Sequence, residues 1–387
     1  MKFAFVSHVL PPSWSGQAVV IYRLLKGLNP EDYCLVSQGD CDADASRDEY
    51  TQRLSAHHYQ LPPTFESRRG FVNIPFNIFA RARHIARIIR RERCEAVVAC
   101  TGDFYYLPAS YLASRLARVK FYPYIFDYYS QQWMETKPRR LAERFEPIMM
   151  KGAAGIIVPN EFMRDELKRR YRVEPTVIRN SCDLSLYEST NGSVVYHSGE
   201  TRKDLKIVYT GAISAAQIDA IHNLIKAIDV LGRGEVTLHI YTAQPQSAVA
   251  EALNNSRVIF HDHEPIDRIP DIQKRADILF LPLSFNSPYP EVIKTSAPGK
   301  IGDYLASRQP ILVHAPANTF VSSYFRDHEC GLVVDENQPD KLADAIKRLT
   351  TDTGLRNKLS ENAWERARVD FSNSVSQARF KALLELV

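Results

Sequence analysis

The chain contains no apolar run near the ~20 residues that a helical membrane span needs, and no two of its six cysteines stand at C-x-x-C spacing. The first absence weighs against a membrane-spanning helix. The second, with Cys34, Cys41, Cys94, Cys100, Cys182 and Cys330 scattered along the chain, weighs against a zinc ribbon or a disulfide framework and fits a reducing cytosol. No G-x-G-x-x-G follows an apolar segment, which weighs against a nicotinamide or flavin dinucleotide; no cofactor is expected. There is no internal repeat and no low-complexity tract. Met1 to Leu10 is apolar but leads straight into Pro11-Pro12, so it is expected to form a first buried strand rather than an export signal. A cytoplasmic location follows as an expectation.

What is present fits a globular protein of two domains: 387 residues, 45% hydrophobic and 24% charged, too many for one typical core. The net charge is only +4, but residues 1–190 hold 27 Lys and Arg against 21 Asp and Glu, while the remainder holds 22 against 24. The sharpest basic cluster is Phe76–Arg93, with Arg81, Arg83, Arg87, Arg90, Arg91 and Arg93 against the single acid Glu92. Ile78, Phe79, Ile85, Ile88 and Ile89 recur there at roughly helical spacing. Such a helix either packs on a sheet with a solvated Arg face or lies on an anionic membrane surface through Arg81–Arg93, at the inner face of the plasma membrane. Nucleic acid is not expected as a partner, because aromatic interleaving is missing and the overall charge is mild.

Short apolar runs alternate with amphipathic segments. In the first half the expected strands are Lys2–Ser7, Tyr33–Ser37, Ala96–Cys100, Lys120–Phe126, Gly155–Val158 and Thr176–Ile178. Helices are expected at Gly16–Leu28, Ile78–Arg93, Leu107–Leu116, Pro138–Gly152 and Glu161–Tyr171. Asp40–Gly70 reads as an irregular insertion and Tyr187–Lys203 as a polar linker. The alternation restarts at Lys206–Tyr209 and continues to a last amphipathic segment, Asn373–Val387. The pattern predicts an α/β protein of two doubly wound, Rossmann-like domains, 1–190 completed by 373–387, and 200–372, facing a central cleft. Ligands of such sheets sit beyond the carboxyl ends of the strands.

The most informative stretch is Thr295–Leu312, TSAPGKIGDYLASRQPIL. Ser296 is expected as an N-cap and Pro298 in the first turn of a short helix, ahead of a buried strand from Ile311. A helix start with Lys300 added suits a diphosphate, and Asp303 can accept hydrogen bonds from ribose hydroxyls. The loop Leu10–Gly16, with its Ser15-Gly16 pair, and the loop Thr210–Gln217, with Gly211 and Ser214, each follow a strand. Backbone amides can approach an anion in such loops. Asp103, just after Ala96–Cys100, is either a general base or the cap of the next helix. Asp127 follows another strand end, and Tyr128, Tyr129 and Trp133 beside it are sugar-stacking groups, lipid contacts or a packed hydrophobic lip.

These segments resemble the family 4 glycosyltransferases (glycosyl transferases group 1), whose signature S-x-P-x-K-x-x-(E/D)-Y-(L/M)-A-x-x-x-P-I matches Ser296–Ile311. The resemblance covers nearly the whole chain and is firmest from Ile207 to Ser372. It implies the GT-B fold, with an acceptor-binding N-terminal domain, a nucleotide-sugar-binding C-terminal domain and a last helix that crosses back to the first. It implies transfer of a hexosyl unit from a nucleoside diphosphate, UDP slightly favoured, to a hydroxyl of a lipid-linked or polysaccharide acceptor, retaining and without a metal. Donor contacts would fall on Gly211, Ser214, Thr295, Ser296, Lys300 and Asp303; acceptor-side contacts on Ser15, Gly16, Asp103 and Asp127; catalytic roles on Asp103, Lys300 and Glu291. The chain departs from the family pattern in the second-half loop, where the family often has an Arg in the loop and a Lys a few residues later, and where the first of two acids is replaced by Thr295. The loop Gly211–Gln217 resembles a G-x-x-x-x-x-Q sub-pattern of bacterial surface-polysaccharide transferases. A sugar-nucleotide epimerase and a non-catalytic homologue that binds a nucleotide sugar are the other readings.

Overall fold

The computed structural model describes residues 1–13, 15–38, 53–63, 73–133, 137–188, 204–232, 235–245 and 253–386. It divides into two compact units, Met1–Arg179 with Ser374–Val387, and Asn180–Asn373.

The first unit carries a seven-stranded parallel sheet: β1 (Phe3–Val6), β2 (Tyr33–Ser37), β3 (His58–Gln60), β4 (Ala96–Cys100), β5 (Lys120–Tyr124), β6 (Ile157–Val158) and β7 (Thr176–Val177). Their order is β3-β2-β1-β4-β5-β6-β7. β1, β2 and β4 are buried on both faces, and their sequences FAFV, YCLVS and AVVAC are accordingly apolar throughout. One face is covered by the helices Ile74–Arg91, Tyr106–Ala117, Lys137–Lys151 and Glu161–Tyr171. The other is covered by Gly16–Leu25 and by the last helix, Asn373–Leu383, whose Phe380 is fully buried with Phe3 and Phe5. Phe380 meets the Phe3 ring edge-on at 5.7 Å, and Gln377 Nε2 donates to the Arg23 carbonyl at 2.8 Å.

The second unit repeats the plan with six parallel strands: β8 (Asp204–Thr210), β9 (Glu235–Tyr241), β10 (Val258–His261), β11 (Ile278–Pro282), β12 (Ile311–His314) and β13 (Leu332–Val334), ordered β10-β9-β8-β11-β12-β13. In both sheets the order turns back beside the first strand, so each has a switch point at its carboxyl edge.

Most expected elements are present within a residue or two. β3 was missed because it is a three-residue edge strand with half-buried side chains. The helices Pro290–Thr295 and Phe320–Asp327 were missed because both are short. Of the insertion read at Asp40–Gly70, residues 53–63 are described and the rest lie outside the described residues, as does most of the linker read at Tyr187–Lys203. Tyr187 itself is buried and donates to Gln273 Oε1 at 2.8 Å.

Replacing Phe380 by Ala should cost about 3–5 kcal/mol, as for a large aromatic lost from a tight core. Urea unfolding followed by far-UV dichroism should show the loss in the transition of the first unit.

Candidate functional site

In the second unit the site starts from a crowded turn. β8 ends at Thr210, and Gly211 follows at φ +117°, a region that L side chains rarely adopt. Its N–H donates to the Tyr241 carbonyl at 2.8 Å. A Cβ at Gly211 would lie 3.0 Å from Lys300 Nζ. Glycine is therefore needed here both for the backbone angle and for the approach of the lysine. The ammonium sits 3.7 Å from the centroid of the buried Tyr209 ring.

Lys300 immediately precedes the helix Ile301–Ala306, and one turn on, the buried Tyr304 accepts a hydrogen bond from Thr210 N–H at 3.0 Å. The helix start and the β8 turn are thus fastened together. Desolvation pulls the Lys300 pKa down to about 7. Among the described residues no carboxylate forms an ion pair with it. The ring face offsets part of the cost of holding a cation there, and the rest is available to a bound anion.

Asp303 is buried in the first turn of the same helix and accepts a hydrogen bond from Tyr187 Oη at 3.3 Å. The structure corrects the cap expected before it. The helix begins at Ile301, so Pro298 lies in the preceding turn, and Ser296 is the C-cap of Pro290–Thr295. Thr295 is buried, with its hydroxyl donating to the Glu291 carbonyl at 3.1 Å. Glu291 lies half-buried in the first turn of that helix. Asn180 Nδ2 donates to the Ala297 carbonyl at 2.7 Å and braces the loop.

Ser214 is exposed and shapes its own turn: its hydroxyl donates to Gln217 Oε1 at 2.9 Å and accepts from Ala216 N–H at 3.2 Å. Sequence reading missed Gln244, whose amide accepts from Ile213 N–H at 2.7 Å and donates to Ile213 O at 3.0 Å. Tyr304 stands in the Asp-Tyr pair of the motif, but its bond to Thr210 N–H could not be read from sequence.

In the first unit a second cluster forms at the carboxyl ends of β1 and β4. Gly102 follows β4 at φ +135°, and a Cβ there would fall 2.0 Å from Cε1 of His8. The His8 imidazole therefore fills the space that a side chain at 102 would take. Burial lowers the His8 pKa, so the ring is neutral at pH 7. Gln17 Nε2 ties this edge to the first helix by donating to the Thr101 carbonyl at 3.0 Å and to Ser7 Oγ at 3.1 Å. His8 and Gln17 went unnoticed because neither stands in a motif.

Asp103 stands two residues before Tyr105, the N-cap of Tyr106–Ala117, and still serves the helix start: Oδ1 accepts from Tyr105 N–H at 3.1 Å and Tyr106 N–H at 2.8 Å. Burial nonetheless raises its pKa to about 6, against these bonds and the Arg81 charge. Asp127 is exposed after β5. Its N–H donates to Thr101 Oγ1 at 3.3 Å. Ser15 carries the backbone start of the first helix without a side-chain cap, and a Cβ on the exposed Gly16 would meet open space.

Tyr128 and Tyr129 are 1% exposed and bonded internally, to Tyr171 Oη at 3.2 Å and to the Phe104 carbonyl at 2.8 Å, so of the three readings for them the packed hydrophobic one holds. One expectation is overturned here. Arg81, read as part of the exposed basic cluster, is buried, because its position on the helix turns it toward the sheet. The sequence also holds the Asp-x-Asp spacing of many metal-dependent transferases, at Asp40-Cys41-Asp42 and Asp42-Ala43-Asp44. Both lie outside the described residues.

Comparison with known proteins gives this geometry a family. Residues 14–186 match the family described as Glycosyltransferase Family 4, and residues 204–352 match Glycosyl transferases group 1. The chain belongs to the family 4-like, group 1 glycosyltransferases. An alpha-D-kanosaminyltransferase of Streptomyces kanamyceticus is 25% identical over 343 residues, covering 81% of this chain and 84% of that protein. Among solved structures, Anabaena HepE in complex with UDP-glucose superimposes with a TM-score of 0.73 at 14% identity, over 100% of both chains. A glycosyltransferase from Rickettsia africae does so with a TM-score of 0.69 at 15% identity, again over 100% of both. This glycosyltransferase therefore has the GT-B-type fold, with its two parallel sheets.

Lys300 of this glycosyltransferase should cost the unliganded protein stability. Its folded pKa lies below its unfolded value, so the unfolded state binds more protons between about pH 7 and pH 10.5, and stability rises with pH across that window. Lys300→Met should raise the melting temperature at pH 6.5 by roughly 2–4 °C, and the gain should shrink toward pH 10.

Proposed function

We propose that this glycosyltransferase takes a sugar from a nucleoside-diphosphate donor, UDP slightly favoured, and places it on a hydroxyl of a glycan or lipid-linked acceptor of the bacterial surface-polysaccharide kind. One observation carries the donor reading. Lys300 is a desolvated cation without a carboxylate partner among the described residues, stacked on Tyr209 and beside a turn that only Gly211 allows. A diphosphate oxygen there receives a full charge from Lys300 and close approach to the Gly211 backbone. Asp303, one turn along the helix, and Tyr187, which donates to it from the segment Ser185–Glu188, supply polar groups for a ribose. UDP and UDP-glucose bound by HepE support the donor class.

Charge builds on the diphosphate as the glycosidic bond breaks, so Lys300 stabilises the leaving group. On the family resemblance, we read the reaction as retaining and metal-independent. On the acceptor edge, Asp103 and the neutral His8 are the groups able to orient or take a hydroxyl proton. Thr295 occupies the position of the missing first acid and is committed to its own helix, which leaves Glu291, four residues earlier on that helix, as the acid nearest to that position in sequence.

Melting curves with UDP, GDP, CMP and NAD test the donor reading. One nucleoside diphosphate should raise the melting temperature, and Lys300→Met and Asp303→Ala should each remove most of the shift. Affinity should fall by up to about tenfold per pH unit above pH 7, as the free lysine loses its proton and binding must take one up. Absence of a shift with every nucleotide would return the loop to a purely structural role.

We further propose that the first unit docks on an anionic membrane surface. The outer side of Ile74–Arg91 exposes Phe76 and Phe79 together with Arg83, Arg87, Arg90 and Arg91. Lys137–Lys151 exposes Phe145 and Ile148 among basic residues. Sedimentation with phosphatidylserine-containing liposomes at low salt should retain the protein. Arg83, Arg87 and Arg91→Glu together should weaken retention about 100-fold or more at ~1 kcal/mol per charge; unchanged retention would rule the surface out.

A further inference from the structure

Arg81 is a buried cation that the transfer chemistry leaves unused. It is 4% exposed. Nη2 donates to the side-chain carbonyl of Gln38, while Nε and Nη1 are buried with no hydrogen-bond partner. Among the described residues no carboxylate forms an ion pair with the guanidinium. Its carbon lies 4.7 Å from the centroid of the Tyr106 ring and 5.8 Å from that of Tyr105. Leaving guanidinium N–H groups unpaired away from water is costly, and a ligand oxyanion removes that cost.

The location suits a ligand. Gln38 follows β2 and Asp103 follows β4, on either side of β1, where the strand order reverses. Open α/β sheets bind ligands outside the carboxyl ends of their strands at such a point. We propose that Arg81 anchors an oxyanion subsite, which takes a phosphate or carboxylate carried by the acceptor. This rests on reading the carboxyl edge of the first unit as the acceptor side. Asp103 feels the Arg81 charge but gives Oδ1 to two backbone amides. Its raised pKa makes it less repulsive to an anion as pH falls through 6, so anion affinity should rise in that direction.

The test uses the full-length protein carrying Lys300→Met, which silences the donor diphosphate site. Melting temperature is followed with inorganic phosphate, glucuronate and glucose, each matched in ionic strength with sodium chloride. Phosphate or glucuronate should stabilise, whereas glucose and chloride should not; which anion acts separates a phosphorylated acceptor from a uronic acid. Adding Arg81→Met should weaken that anion about ten- to hundredfold. Arg81→Lys keeps the charge but loses the planar donors and should also weaken it, so a poorly folding Met variant does not end the test. If neither anion exceeds chloride, or if both variants respond like the parent, the subsite is overturned. Nucleotide-induced shifts in Arg81→Met with Lys300 intact report on the donor reading separately and should be unchanged.

Discussion

A single lysine ammonium, held over a tyrosine ring and against a glycine backbone, sets the requirements for the second unit. A side chain at residue 211 would crowd the Lys300 ammonium where it lies over Tyr209. The lysine is aimed there because Tyr304, one turn later, is fastened to Thr210 N–H. β8 and β12 are separated by β11 in the sheet, yet the helix between β11 and β12 is pinned to the turn after β8. The cost of this arrangement is a cation without a carboxylate partner among the described residues, and the raised stability expected of an apolar replacement measures that cost. A binding site kept at the expense of apo stability is a common sign of function.

The first unit shows the same logic in different chemistry. His8 occupies the space opened by Gly102, Asp103 serves the helix start while its pKa is raised to about 6, and Arg81 lies buried with unpaired N–H groups. Three polar groups, from three chain segments, converge on one edge of one sheet. Each carries a desolvation cost or a missing partner that packing alone does not explain. Their convergence at the switch point gives the acceptor-side reading a physical footing independent of motif matching.

The motif around Lys300 illustrates how a sequence pattern can be right for partly wrong local reasons. The residues proposed for the diphosphate and ribose lie at a helix start, but the helix begins at Ile301, and Ser296 closes the helix before it. Lys300 matters less through the helix end than through desolvation beside Gly211. Conversely, the basic stretch Phe76–Arg93 reads as one face in sequence, while the fold divides it. Arg83, Arg87, Arg90, Arg91 and Arg93 are exposed and Arg81 is buried, because a helical turn of 3.6 residues puts neighbours on opposite sides.

The sequence by itself determined the alternation of strands and helices and the repeat of that plan in two halves. It also determined the motif that carries Lys300 and Asp303. Those features are local: apolar runs, turn residues and spacing suffice to specify them. Only the tertiary structure decided which distant residues meet: Lys300 with Gly211 and Tyr209, Tyr187 with Asp303, His8 with Gly102, and Arg81 with Gln38 and Tyr106. The reason is that desolvation and unpaired hydrogen bonds depend on what surrounds a side chain in space. A parallel sheet brings together strand ends that are far apart in sequence.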